Sequence, residues 1–209
     1  MIEIRPVRAT DLDALYHIAL ATGDGGADAA ALCRDPKLLG HIYAAPYAAL
    51  CPDTVFVAED ADGVGGYIVG AADTRTFEDR LEAAWWPELR TAYPAPRDVP
   101  RANWTRDQRM INLMHQPRRT PDEVAGAYPS HLHINLLPRL RGLGVGRALM
   151  DRWLRAVRAS GSAGVHLAVG TANARPIRFY QSFGFRELTR PSYPVAGAMW
   201  MVRRNKVQG

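Results

Sequence analysis

The 209-residue chain has only two cysteines, and its apolar residues form no long run. Cys33 and Cys51 match neither a CxxC pair nor a metal-binding pattern, so we expect free thiols, a reducing cytoplasmic location and no bound metal. No apolar stretch approaches the roughly 20 residues of a membrane span, and residues 1–8 do not resemble a signal peptide. The sequence therefore predicts a protein with no membrane partner.

Lysine is nearly missing, because Lys37 and Lys206 are the only two. Arginine supplies almost all of the positive charge, and the formal net charge is +5. A basic balance can indicate a nucleic-acid partner, but these arginines are spread along the chain with no dense tract, so we expect none. Hydrophobic residues make up 47% of the sequence, which is enough for a core. The length predicts one domain, residues 1–209, with a large insertion.

Periodicity along the chain predicts an α/β (α+β) fold in which strands and helices alternate. Strands are expected at 2–8, 54–58, 65–71, 130–137, 165–169, 185–189 and 198–202. Helices are expected at 10–21, across 27–50 with breaks near Pro36 and Pro46, and after residue 146. Thr10 and Asp13 have the spacing of a capping box for the first helix. Residues 73–130 form an insertion with helices expected around 78–90, 107–114 and 121–128, and so long an ordered connection usually carries function.

A glycine-rich segment precedes the longest amphipathic helix. Gly142, Gly144 and Gly146 lie between Arg141 and Arg147. Glycine lets a ligand approach the backbone, and a helix N-terminus presents unpaired N–H groups, so the segment is suited to a diphosphate. The spacing does not fit the dinucleotide fingerprint G-x-G-x-x-G, and there is no Gly-Lys-Ser/Thr triplet of a P-loop. A glycine-rich turn that only begins a helix is the alternative.

Two patterns together carry a resemblance to a known family. Arg141-x-x-Gly144-x-Gly146 resembles the acetyl-CoA pyrophosphate loop of the GCN5-related N-acetyltransferase (GNAT) superfamily. About thirty residues later, the segment from Asn173 to Phe185 is similar to the superfamily pattern Asn-x-x-Ala-x-x-Phe-Tyr-x-x-x-Gly-Phe, except that Pro176 replaces alanine. Proline is tolerated in the first turn of a helix, so this departure supports a helix start near Asn173.

The resemblance implies a GNAT fold: a mixed, mostly antiparallel sheet that splays apart between its fourth and fifth strands, with helices on both faces. It also implies acetyl-CoA as co-substrate, held at the edge of the fourth strand and by the glycine-rich loop. The Leu136 N–H would polarise the acetyl carbonyl, the arginine cluster Arg139, Arg141 and Arg147 would suit an anion, and Tyr180 would protonate the leaving thiolate. The implied cofactor-binding residues are Leu136, Leu137, Arg141, Gly142, Leu143, Gly144, Val145, Gly146, Arg147, Asn173 and Tyr180. Tyr180 has the alternative of packing on the sheet.

The superfamily reaction is attack by an amine on the thioester, which requires a proton acceptor. Alternation along the fourth strand places His131, His133 and Asn135 on one face. Either histidine is a candidate base because its ordinary pKa is near neutrality, and hydrogen-bonded histidines of the sheet are the alternative. Glu59 and Asp73 are weaker candidates, Asp73 being suited to cap a helix. The candidate acceptor-site residues are Asp73, Trp85, Trp86 and Asn135, with at least one tryptophan expected to anchor the insertion.

A narrower resemblance involves most of the chain. The segment from Tyr128 to Pro138, preceded by a tryptophan-containing insertion, is similar to the acetyltransferase-like C-terminal domain of O-GlcNAcases and to free-standing bacterial relatives of that domain. An aspartate is common there where this chain has Asn135, which cannot act as a base. The eukaryotic members are thought not to bind acetyl-CoA, whereas the glycine loop is intact here.

The sequence thus predicts an acetyl-CoA-dependent N-acetyltransferase that acts on a primary amine of a small molecule or peptide, as a monomer or homodimer. The alternative is a non-catalytic acetyl-CoA-binding or interaction module.

Overall fold

The computed structural model describes residues 1–97, 99–172, 174–189 and 197–205. A seven-stranded mixed sheet in the order β1-β2-β3-β4-β5-β7-β6 forms its centre. The strands are β1 (Glu3–Pro6), β2 (Phe56–Asp60), β3 (Gly63–Ala71), β4 (Ser130–Leu136), β5 (Gly164–Gly170), β6 (Arg186–Glu187) and β7 (Ala198–Arg204). All neighbouring pairs are antiparallel except β4 and β5, which are parallel. The predicted mixed, mostly antiparallel sheet is confirmed.

Helices cover both faces of the sheet, as predicted. They are α1 (Leu12–Ala21), α2 (Leu38–Tyr43), α3 (Ala45–Leu50), α4 (Thr74–Arg80), α5 (Trp86–Ala92), α6 (Arg106–His115), α7 (Asp122–Ala127), α8 (Val145–Ala159) and α9 (Ala174–Gln181). The apolar stripe of α8, which includes Leu149, Trp153 and Val157, is buried against one face, while Leu15 and Ile18 of α1 are buried against the other. None of the helices in the described ranges is long and apolar enough to cross a membrane.

The start of α1 differs from the predicted capping box. Asp11 rather than Thr10 stands at the helix entrance, and its carboxylate accepts the Arg8 N–H at 2.7 Å. The same carboxylate pairs with the buried Arg5 at 2.7 Å, and Arg5 also binds Glu59 at 2.6 Å. The Asp11 carboxylate makes no capping hydrogen bond to α1, and Glu59, which pairs with Arg5, is committed to structure rather than to catalysis.

The predicted insertion is helical, but its first helix is interrupted. A π-helical segment, Leu81–Trp85, separates α4 from α5. Pro87 lies in the first turn of α5, where it has no N–H to donate and its ring crowds the preceding turn. The chain widens there instead of continuing one regular helix. Leu38, Trp86 and Met114 form a small core that joins the insertion to α2.

Candidate active site

Strands β4 and β5 separate soon after they begin. They pair only at Ser130 with Val165 and at His131 with His166, although β4 continues to Leu136. The Leu137 N–H donates to the Gly65 carbonyl at 2.8 Å on the β3 side. Because successive residues of a strand direct their N–H groups to opposite sides, the Leu136 N–H faces the gap. The Leu137 N–H is therefore occupied and is not a donor for a ligand, whereas the Leu136 N–H remains a candidate donor.

The glycine-rich loop leads into α8 at the end of this gap. Gly144 is the N-cap of α8, in the left-handed region with φ 77°, and Gly142 has φ 78°. The first intrahelical bond there is from the Ala148 N–H to the Gly144 carbonyl at 3.1 Å. The N–H groups of Val145, Gly146 and Arg147 lie in the first turn, where the helix offers them no acceptor. A Cβ added at Gly142 or Gly144 would meet nothing within 4 Å. These residues and the exposed Leu143 surround open space that suits a diphosphate.

Two of the three arginine side chains near this loop, those of Arg139 and Arg141, have partners within the protein. Arg139 pairs with Asp60 at 3.0 Å. Arg141 donates to the Leu136 carbonyl at 2.9 Å and to the Gly26 carbonyl at 2.7 Å, and its backbone N–H donates to the Pro138 carbonyl at 3.1 Å. Arg147 lies over the Phe183 ring at 5.0 Å. Arg141 therefore braces the loop, whereas the exposed Arg147 makes no side-chain hydrogen bond in the described ranges and remains for an anion together with the backbone of α8.

Tyr180 lies on α9, whose first turn contains Pro176 as predicted. Its half-buried ring packs edge-on against Phe179 and Phe185, and its hydroxyl makes no hydrogen bond to a residue in the described ranges. Burial raises the pKa of the phenol well above its usual value, so the hydroxyl keeps its proton at neutral pH and is a weaker acid than an exposed tyrosine. Asn173 lies outside the described residues.

His131 is a structural histidine. Its Nε2 lies 2.9 Å from the Tyr47 hydroxyl, and its Nδ1 lies 2.8 Å from the Thr74 hydroxyl. Thr74 donates its single hydroxyl proton to the Pro129 carbonyl at 2.6 Å, so it must accept from Nδ1–H and leave Nε2 to accept from Tyr47. Burial and neighbouring histidines lower the pKa of His131 well below its usual value. With both ring nitrogens engaged, His131 does not fit the role of a base.

His133 differs from His131 because its ring makes aromatic contacts and no hydrogen bond to a residue of the described ranges. Tyr43 and Tyr47 pack edge-on against it, with centroids at 5.6 Å and 5.7 Å. Its half-buried side chain lines a pocket, and burial lowers its pKa to about 4. The imidazole is therefore neutral at physiological pH and has a free nitrogen lone pair. It is the histidine of this face that is placed to receive a proton.

Asn135 and Asp73 have structural partners. The Asn135 amide donates to the Thr22 hydroxyl at 2.5 Å, which joins β4 to the loop after α1. Asp73 is the N-cap of α4 and accepts the Thr76 N–H at 2.8 Å. Asp73 thus performs the capping role considered for it, and neither residue lines the pocket.

The pocket has a volume of about 1160 Å³ and lies between α2–α3, the insertion and β4. Trp86 contributes to its wall, whereas the Trp85 indole donates to the His41 carbonyl at 2.9 Å and anchors the insertion to α2. The sequence pattern did not single out Tyr43, Tyr47, Arg109 or Arg118, which also line it. Elements distant in the sequence bring these residues together, so no local motif identifies them.

Comparisons with known proteins agree with this geometry. Residues 118–187 match the family described as acetyltransferase (GNAT) domain. The solved structure titled SsHAT has 37% identity and a TM-score of 0.87, covering 97% of this chain and 98% of that one. A GCN5-like protein acetyltransferase of Mycobacterium tuberculosis is 29% identical over 78% of this chain and 75% of its own length. O-GlcNAcase of Rattus norvegicus is 24% identical over 90% of this chain but only 20% of its own length.

The splayed sheet, the glycine loop and these matches define the class: the chain belongs to the GNAT superfamily of acetyltransferases. Within that superfamily it is similar to the acetyltransferase-like region of O-GlcNAcase. It spans about a fifth of the length of the O-GlcNAcases that it matches.

Proposed function

We propose that this protein transfers the acetyl group of acetyl-CoA to a primary amine by direct attack of the amine. The observation that carries the proposal is the position of the Leu136 N–H in the gap between β4 and β5. The first turn of α8 flanks this gap, and His133 lies on the same strand, three residues away. A strand rises about 3.3 Å per residue, so about 10 Å of β4 links the two positions.

Each group has a distinct task in this proposal. The N–H groups of Val145, Gly146 and Arg147 hold the diphosphate, and the Leu136 N–H polarises the thioester carbonyl and stabilises its developing negative charge. Acetyl-CoA supplies the activated acetyl group. Tyr180 donates a proton to the departing thiolate, which its protonated phenol is suited to do. Asn173 remains a proposed partner of the pantetheine arm on the strength of the sequence pattern alone.

His133 accepts the proton of the amine through water in the pocket. Its pKa of about 4 makes it a weak base, so the pocket must also favour the neutral amine. Burial disfavours an ammonium group, and so does a nearby arginine. Arg118 is such a neighbour. Its positive charge acts on the pKa of the Tyr43 hydroxyl, and the Tyr43 ring packs beside His133. The environment therefore performs part of the deprotonation that a carboxylate on β4 would otherwise perform.

The experiment that tests this function has two parts. Calorimetry should detect acetyl-CoA binding in the micromolar range or tighter, and release of the coenzyme A thiol should follow when a panel of primary amines is supplied. Absence of acetyl-CoA binding contradicts the whole proposal.

A non-catalytic acetyl-CoA-binding module is the second candidate. The observation that favours it is that no carboxylate on β4 faces the pocket and that His131 and Asn135 are committed to structural hydrogen bonds. Binding of acetyl-CoA without transfer to any amine of the panel would select this candidate over the enzyme.

A further inference from the structure

The carboxylates that line the pocket have ion-pair partners, whereas some of its arginines have none in the described ranges. Its two carboxylates are neutralised by arginines: Glu78 pairs with Arg75 at 2.6 Å and with Arg119 at 3.3 Å, and Glu82 pairs with Arg90 at 2.9 Å. Glu78 also accepts the Thr120 N–H at 2.7 Å. Neither carboxylate is left to bind a cation, so the pocket lacks the acidic surface that a polybasic peptide would need.

Three arginines of this pocket make no ion pair within the described ranges, and one of them, Arg101, lies over the Trp104 ring. Arg109 donates from its Nε to the Trp104 carbonyl at 3.2 Å, and its terminal nitrogens make no hydrogen bond to a residue that the structure describes. Arg118 makes neither an ion pair nor a hydrogen bond with a residue of the described ranges. Both side chains are exposed. A guanidinium presents parallel N–H donors that match the oxygens of a carboxylate or phosphate, so Arg109 and Arg118 are suited to bind an oxyanion.

The inner wall of the pocket is aromatic. Tyr43, Tyr47, Phe77 and Trp86 line it around the neutral His133. Tyr47 and Phe77 are stacked with centroids 4.3 Å apart. An acceptor that fits this lining has a flat or apolar body between its amine and its charged end, since such walls favour apolar burial.

We propose that the acceptor is an amine that also carries an oxyanion group, a carboxylate or a phosphate, which Arg109 and Arg118 bind at the mouth of the acceptor pocket. This inference rests on the proposed acetyltransfer. The anionic end enters between the arginines, and the amine is directed along the aromatic wall towards His133. The same positive field repels dicationic amines, so it selects acceptors by attraction and by repulsion.

The test compares amines that share one scaffold and differ in charge. Benzylamine, para-(aminomethyl)benzoate, para-(aminomethyl)phenyl phosphate and para-(aminomethyl)benzylamine are supplied with acetyl-CoA. We expect kcat/KM for an anionic probe to exceed that for benzylamine by roughly ten- to hundredfold, the scale of a charge-assisted hydrogen bond, and the dication to be the poorest. The better of the two anions identifies the oxyanion.

Variants test whether Arg109 and Arg118 cause the preference for anionic amines. Arg109→Gln and Arg118→Gln together should reduce the ratio of anionic to neutral kcat/KM to near one. Arg155→Gln, which removes one positive charge at an exposed position of α8, should leave the ratio unchanged. Equal or better use of the dication, or a preference that survives in the double variant, overturns the inference.

A binding measurement separates this inference from the proposed function. The same four probes are titrated calorimetrically into the protein in the presence of coenzyme A. Tighter binding of the anionic probes without acetylation of any probe would support the inference and contradict the enzyme. Acetylation without a charge preference would support the enzyme and contradict the inference.

Discussion

Two histidines that are neighbours on one strand face have different tasks because of their hydrogen bonds. Both nitrogens of His131 are bonded, to Tyr47 and Thr74, whereas the ring of His133 faces the pocket. We expect His131→Gln to lower the unfolding temperature while the folded protein keeps its kcat. His133→Gln should lower kcat by roughly 10²-fold, a usual scale for one acid–base group, with little change in stability. The reverse pattern, measured by thermal melts and steady-state kinetics, would exchange their roles.

At the same scale, the Tyr180 hydroxyl is expected to act in the chemical step. Tyr180→Phe removes the hydroxyl but keeps the ring that packs against Phe179 and Phe185. Turnover should fall by roughly 10²-fold because the thiolate loses its proton donor, while calorimetric acetyl-CoA affinity changes little. The control is Tyr93→Phe. This tyrosine of the insertion loses a hydroxyl that donates to Asp35 at 2.8 Å. Equal turnover in the two variants would reduce Tyr180 to a packing role.

At the scale of elements, the N-terminus of α8 is the expected diphosphate site. Gly144→Glu places a bulky negative side chain at the N-cap and should abolish acetyl-CoA binding. Because Gly144 has φ 77°, the substitution also strains the backbone. Gly161→Glu is a matched control: Gly161 follows the other end of α8 with φ 80° and equally open surroundings. If calorimetry shows that both variants lose acetyl-CoA binding, the effect is one of folding.

The insertion is the element expected to shape the acceptor pocket. Trp86→Ala removes part of the pocket wall, so KM for the amine should rise while acetyl-CoA binding persists. Trp85→Ala removes the bond to the His41 carbonyl and should act more on stability than on KM. Kinetics with varied amine, combined with acetyl-CoA calorimetry, distinguishes the two. Equal effects on amine and acetyl-CoA in the Trp86 variant would indicate unfolding.

At the scale of the whole molecule, buried histidines make stability depend on pH. Burial lowers the pKa of His131 and His166, and lowers that of His133 from 6.5 to about 4. Between pH 6.5 and about 4 the unfolded chain therefore binds protons that the folded protein does not. The free energy of unfolding falls as pH falls through this window. The contribution that the neutral histidines make to it is complete above pH 6.5.

Urea denaturation from about pH 7 to about pH 4.5 measures this dependence. His133→Gln removes one of the titrating groups and should make the loss of stability with falling pH shallower. His17→Gln, at an exposed position of α1, should retain the slope of the native protein. A native protein whose stability is constant over this range would contradict the assignment of neutral buried histidines.

The features that the sequence determined by itself are those set by local rules. Alternation along β4 and the amphipathic stripe of α8 follow from side-chain periodicity. Glycines at positive φ before α8 follow from backbone sterics, and Pro176 at a helix start follows from its missing N–H. Two of these patterns, in order and at the right separation, carried the resemblance to the GNAT superfamily, and that resemblance implied the fold, the splayed strands and the acetyl-CoA loop.

Only the tertiary structure decided which side chains are free. His131 is hydrogen-bonded to Tyr47, which is 84 residues away in the sequence. Arg141 is hydrogen-bonded to the Gly26 carbonyl, which is 115 residues away. The pocket likewise joins α2, α3, the insertion and β4. Such pairings depend on how distant segments pack, and periodicity contains no information about them. The sequence therefore indicated where an acetyl-CoA site is expected, whereas packing determined which histidine faces the pocket and which pocket arginines have ion-pair partners.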